Sequence, residues 1–189
     1  MDSNVGLAIQ CVGVLLITLL SNFIRSSIKS NALRYWTASW ASLSVSLLSL
    51  FFGFHLAGKQ SIFYSAYFLG EYVFALLFIA GCRSHVSDEL LTKRHGYFLI
   101  PAITVSLVLP HVSRDFNDLF MVHAGILSVL FMVSYFTLRL RTRADQKTPG
   151  IQVMSVALFL LALGFLLYVP VFAGRKGLWG ITIPLSYMQ

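Results

Sequence analysis

Glu71 is the residue best placed to do chemistry, because this carboxylate lies near the middle of an apolar run from Phe63 to Cys82. A charge inside a membrane span is costly, so such residues usually face a helix-bundle interior or a cavity. Helical spacing predicts a shared face with six neighbours, namely Tyr64, Tyr67, Phe68, Phe74, Ala75 and Phe78. One interpretation is a site that senses a ligand or a proton. Its candidate residues are Glu71, Tyr64, Tyr67 and His123. The other is a structural glutamate that pins helices together by hydrogen bonds.

Three histidines fall towards the predicted outer ends of their spans and suggest a metal site or haem ligands: His55, His111 and His123. The alternative is interfacial histidines satisfied by headgroups and water. At a rise of about 1.5 Å per residue, His123 lies roughly 6 Å and Glu71 roughly 13 Å inside the outer boundary. Zinc ligands must all approach one ion to about 2 Å. The difference in depth therefore argues against a metal centre, and we expect no cofactor.

The composition determines which elements must position these residues. The chain of 189 residues is 57% hydrophobic and only 11% charged, with a mean hydropathy of +0.78. A water-soluble domain could not cover its surface with so few charges. Apolar runs recur at about the 20-residue length that a helix needs to cross the hydrocarbon core. We predict an all-α, polytopic membrane helix bundle in which residues 1–189 form a single domain.

Six complete spans are predicted, at residues 5–24, 35–56, 62–82, 97–112, 119–138 and 151–173. The first follows a start without a basic n-region, so we expect a retained span and not a signal peptide. The fourth is the shortest and contains Pro101 and Pro110, which favour a kinked or thin helix. Residues 178–189 are apolar and aromatic but too short to cross, so we expect the start of a truncated seventh span.

Charge sets the predicted orientation. Ten of the 14 Lys and Arg fall in alternate loops on one side, so the positive-inside rule predicts an N-terminus outside. This bias explains the net charge of +7 without a nucleic-acid partner. Interfacial or lipid contacts are expected for Arg34, Trp36, Trp40, Arg139, Arg141 and Arg143.

A stripe of small residues follows one face of the second span: Ser39, Ser42, Ser46 and Ser49. Small faces let helices approach closely and let hydroxyls bond across the interface. We therefore predict a packing surface, within the bundle or between protomers. Cys11 and Cys82 fall within apolar runs, where we expect them to act as small buried hydrophobic residues.

The stretches LRYWTASWASLSVSLLSLFFGF and YFLGEYVFALLFIAGCRSHV resemble the N-terminal multi-pass sensor regions of bacterial diguanylate cyclases, which carry a GGDEF domain after the last span. The matching features are Leu33 to Trp36 opening the second span, Trp40 one turn later, and Gly81 to Arg83 ending the third. The resemblance implies a seven-span bundle that leads into a cytoplasmic cyclase, commonly dimeric, which makes cyclic di-GMP. No Gly-Gly pair occurs in the chain, so the catalytic signature is absent.

The first functional hypothesis is the transmembrane input module of a signalling protein in a bacterial inner membrane, which couples a stimulus to a cytoplasmic output domain. The alternatives are an accessory subunit of a respiratory or photosynthetic complex, and a small ion-coupled transporter that uses Glu71. No G-x-S-x-G, H-E-x-x-H, P-loop or GxGxxG motif occurs, so we expect no enzyme activity within these residues. The expected partners are membrane lipids and a second copy or larger membrane assembly, not nucleic acid.

Overall fold

The computed structural model describes residues 3–56, 58–87, 93–112, 116–142 and 148–175. Every regular element in these ranges is helical, which confirms the all-α prediction. The six α-helices are α1 (Ser3–Ser27), α2 (Asn31–His55), α3 (Gln60–Ser87), α4 (Leu99–Val112), α5 (Phe116–Arg141) and α6 (Pro149–Arg175). A 3₁₀ turn, Lys93–Phe98, leads into α4. The predicted seventh span and Arg143 lie outside the described residues.

Five of these helices are long and apolar enough to cross a membrane, and they make the chain a multi-pass membrane protein. The exception is α4, for which we predicted a complete span. Its 14 residues rise only about 21 Å, less than the hydrocarbon core of about 30 Å. Pro110 lies inside this helix, where it removes one backbone hydrogen bond and limits regular extension. The count of six complete spans is therefore not confirmed.

The centre of the bundle is α3, which packs against α2, α4 and α5, while α1 packs on α2 and α6 packs on α5. The predicted interior face of α3 is confirmed, because six of its seven residues are buried and Tyr64 is half-buried. By contrast, α1 and α6 expose most of their apolar side chains. Glu71 thus lies on the helix with the most neighbours, facing inward.

Serine hydroxyls connect α2 to the backbone of α3. Three of the four predicted packing serines donate across the interface: Ser39 to the Phe74 carbonyl at 2.9 Å, Ser42 to the Gly70 carbonyl at 2.9 Å, and Ser46 to the Tyr67 carbonyl at 2.7 Å. Ser49 instead donates to the Val45 carbonyl of its own helix. These bonds fix the register of α3 on both sides of Glu71.

Trp36 and Trp40, which we predicted to be interfacial anchors, are half-buried and pack against α3. The Trp40 ring lies 5.5 Å from the ring of Phe74, and the Trp36 ring lies 6.3 Å from that of Phe78. Gly81 makes room for Trp36, because a Cβ atom at this position would clash with the indole ring. The neighbouring basic residues favoured an interfacial position. In the structure, the close approach of α2 to α3 also brings both rings into contact with α3 side chains.

Candidate functional site

Glu71 of α3 and His123 of α5 form a buried pair. The Nε2 atom of His123 lies 2.5 Å from Oε2 of Glu71, which is hydrogen-bonding distance. His123 is fully buried and Glu71 is 8% exposed. The pair therefore joins two helices through ionisable groups inside an otherwise mostly apolar core.

Four aromatic rings enclose the imidazole of His123. Three of them belong to α3, with centroid distances of 4.7 Å for Phe68, 5.2 Å for Tyr72 and 5.7 Å for Tyr67. Phe120, one turn earlier on α5, lies at 5.9 Å. The rings separate the pair from solvent and strengthen its electrostatic interactions, because the local dielectric constant is low.

The Glu71 carboxylate also interacts electrostatically with the phenol of Tyr67, which lies one turn earlier on the same helix. Tyr67 is 4% exposed. A phenol can donate a hydrogen bond and a carboxylate can accept one. Tyr67 can therefore stabilise Glu71 while Oε2 of Glu71 bonds to His123. The structure thus brings together Glu71, Tyr67 and His123 from the predicted sensing set.

The other predicted residues occupy different places. Tyr64 lies one turn before Tyr67 on α3, and its ring centroid is 6.0 Å from that of Phe54 on α2. His55 and His111 are exposed near the ends of α2 and α4, where each ring bonds to a backbone carbonyl four residues earlier. In the described part of the chain, no group of three His, Cys, Asp or Glu side chains could hold a metal ion.

The predicted difference in depth between Glu71 and His123 is wrong, since their side chains touch. The estimate counted residues inward from the predicted start of each span and gave every span the same starting depth. In the structure, α5 begins at Phe116 and α3 at Gln60, each earlier than predicted. The reach of the two long side chains, which meet end to end, accounts for most of the remaining gap.

Two polar atoms at this site are buried and have no hydrogen-bond partner among the described residues: Nδ1 of His123 and Oη of Tyr72. Buried polar groups are normally paired, so each unpaired one needs an explanation. Sequence reasoning missed Tyr72 because it lies about 100° around the helix from Glu71, at the edge of the predicted face. Its position directly after Glu71 was the available clue.

Four of the described arginines, Arg34, Arg83, Arg139 and Arg141, lie near one end of the bundle, which we call the basic end. Helices α3 and α5 run in the same direction, since Glu71 meets His123 and Phe74 meets Phe131 further along. Both helices therefore lead from the buried pair to the basic end. Arg34, Arg139 and Arg141 are exposed there, as interfacial contacts require.

Comparison of the chain with protein-family models, with curated proteins and with solved structures finds no significant match.

Proposed function

We propose that this protein is the membrane-embedded input module of a bacterial signalling protein and that the Glu71–His123 pair is its responsive element. The observation that carries the proposal is the buried hydrogen bond between these two side chains, from α3 to α5. Of the two acidic residues that the structure describes, Asp118 lies in the first turn of α5 and Glu71 lies in the middle of α3. Intramembrane ionisable residues of this kind commonly mark functional sites.

The stimulus we propose is a proton. Imidazole is the side chain whose charge normally changes between pH 5 and 8. With Nε2–H donating to Glu71, neutral His123 leaves only an acceptor unpaired at Nδ1. Protonation adds an N–H donor at Nδ1, an atom that has no hydrogen-bond partner among the described residues. The titratable groups nearest to the imidazole are Glu71, Tyr67 and Tyr72, all from α3.

Protonation would therefore favour a rearranged contact in which the new N–H finds an acceptor. Because the pair is packed inside a bundle, a small rotation or shift of α5 against α3 is the expected response. Both helices continue to the basic end, which the positive-inside rule places in the cytoplasm. The shift of α5 against α3 would thus change the positions of the helix ends to which a cytoplasmic output domain could be coupled.

Spin labels at the basic end test this mechanism. The labels are attached at Ser87→Cys, at the end of α3, and Leu140→Cys, near the end of α5, because both positions are exposed. The native cysteines, Cys11 and Cys82, are buried and are replaced by alanine. In lipid nanodiscs, we expect the distribution of label-to-label distances to shift between pH 8 and pH 5.

The response should disappear in His123→Gln, which keeps hydrogen-bonding groups but removes the imidazole that takes up the proton. It should weaken in Glu71→Gln, which removes the carboxylate that the imidazole contacts. His85→Gln is the matched control, since His85 is a half-buried histidine on α3 close to the first label. A response that survives in His123→Gln and is lost in His85→Gln would overturn the proposal. So would a distance distribution that is the same at both pH values in the unmodified site.

Proton-coupled transport is the second candidate, and the same pair of ionisable side chains favours it. The two proposals differ in whether protons cross the membrane. Proteoliposomes with a trapped pH-sensitive dye distinguish them: an input module leaves the internal pH unchanged after an external pH jump. A proton flux that Glu71→Gln abolishes would favour the transporter.

The proposed output is a diguanylate cyclase, which rests on the sequence resemblance alone. The residues encoded after Gln189 test this part separately. A seventh span followed by a domain with a GGDEF motif supports it. A stop codon, or a continuation without a signalling domain, contradicts it while leaving the spin-label result intact.

A further inference from the structure

A large apolar cavity lies between α3, α4 and α5, away from the Glu71–His123 pair. Its volume is about 880 Å³, within the range of ligand-binding pockets. Val73, Leu77 and Ala80 line it from α3, and Leu130, Val133 and Phe136 line it from α5. Phe98, at the end of the 3₁₀ turn, and Leu99, at the start of α4, also line it. The cavity therefore suits a hydrocarbon chain and not a polar solute.

Two guanidinium groups line one end of the cavity. Arg83 of α3 is half-buried and Arg141 of α5 is exposed, and both belong to the basic end. Arginine binds phosphate oxygens through two parallel hydrogen bonds, so this pair is suited to an anionic headgroup. Basic pockets between membrane helices are a known setting for anionic lipid headgroups.

The length of the cavity matches one lipid leaflet. Val73 and Arg83 mark its two ends along α3, and ten residues of helix rise about 15 Å. Half of a hydrocarbon core of about 30 Å is also about 15 Å. An acyl chain that enters at the basic end would therefore fill the cavity to the bilayer midplane while its phosphate stays beside the two arginines.

We propose that this cavity binds one anionic phospholipid, with an acyl chain between α3, α4 and α5 and the phosphate on Arg83 and Arg141. The inference is independent of the proposed sensing function, because neither Glu71 nor His123 lines the cavity. The bound lipid would bridge the two helices that the buried pair also joins, at the opposite end of their contact.

Native mass spectrometry of the delipidated protein tests this proposal, with phosphatidylglycerol and phosphatidylcholine of identical acyl chains as probes. We expect one phosphatidylglycerol to bind at least roughly tenfold more tightly than phosphatidylcholine. Both lipids carry the phosphate, but the quaternary ammonium of phosphatidylcholine cancels its net charge and is repelled by the two arginines. Arg83→Gln with Arg141→Gln should remove this preference. The matched control is Arg34→Gln with Arg139→Gln, which removes two exposed charges from the same end, outside the cavity.

A second pair of variants tests the acyl-chain site. Val133→Trp fills the cavity and should weaken binding of both lipids at least roughly tenfold, since the chain loses its apolar contacts. Val129→Trp is the control, one turn earlier on α5, exposed and outside the lining. Equal binding of the two lipids to the unmodified protein would overturn the proposal. Equal losses in Val133→Trp and Val129→Trp, or in the two arginine pairs, would also overturn it.

Discussion

Glu71 and His123 are 52 residues apart in the chain and share one buried hydrogen bond of 2.5 Å between α3 and α5. Among the residues that the structure describes, no backbone hydrogen bond connects these two helices, so their contact is made by side chains. Both partners are ionisable and lie among aromatic rings. The contact therefore holds α3 and α5 together, and a change in the charge of either side chain would alter the interaction between the two helices.

Replacing either partner with leucine should destabilise the protein by about 1–3 kcal/mol, because the other polar group is left buried without its partner. The double variant, Glu71→Leu with His123→Leu, should lose less than the sum of the single losses. We expect a coupling energy of at least about 1 kcal/mol for residues in direct contact. Unfolding in mixed detergent–SDS micelles, followed by circular dichroism, measures all four proteins of the cycle. Simply additive losses would show that the hydrogen bond is not formed.

Stability measurements can also test the hydrogen bonds that the serines of α2 donate to α3. Ser39 is fully buried and donates to α3, whereas Ser49 bonds only within α2. Ser39→Ala should cost about 0.6 kcal/mol, with an upper value of about 1.7 kcal/mol, as for other interhelical bonds in membranes. Ser49→Ala should leave stability within about 0.5 kcal/mol of the unmodified protein. The same SDS titration compares them, and equal costs would contradict the observed direction of the two hydroxyls.

The fold was largely predictable, because the need for about 20 apolar residues per span marks helices directly in the sequence. The buried face of α3 followed from helical periodicity in the same way. The Glu71–His123 contact did not, because it depends on which helices become neighbours and on where each begins. On the earlier counting, the start of α5 at Phe116 instead of residue 119 moves His123 about 4.5 Å deeper. The start of α3 at Gln60 instead of residue 62 moves Glu71 about 3 Å deeper, so the helix starts remove only about 1.5 Å of the predicted difference.

Gly70 marks the closest approach of α3 to α2. A Cβ atom there would lie 2.7 Å from Cβ and 3.1 Å from Cα of Ser46, too close for either helix to remain in place. Gly70→Ala should therefore destabilise the protein by about 1–3 kcal/mol, although alanine favours helix formation. Gly164→Ala, on α6 with no neighbour within 4 Å, is the control and should be neutral or slightly stabilising. Thermal unfolding in one detergent ranks the two variants, and a stable Gly70→Ala protein would exclude this close packing.

Tyr72 and Tyr67 allow the unpaired hydroxyl at the candidate site to be tested. Oη of Tyr72 is buried without a partner among the described residues, so Tyr72→Phe removes an uncompensated polar group. We expect this change to stabilise the protein by about 1 kcal/mol. Tyr67→Phe removes a phenol that interacts with the Glu71 carboxylate and should destabilise by about 1–3 kcal/mol. Both variants keep the aromatic ring beside His123, so packing is held constant. If Tyr72→Phe instead destabilised the protein, the Tyr72 hydroxyl would have a hydrogen-bond partner in the membrane. Tyr72 would then belong to the functional site together with Glu71 and His123.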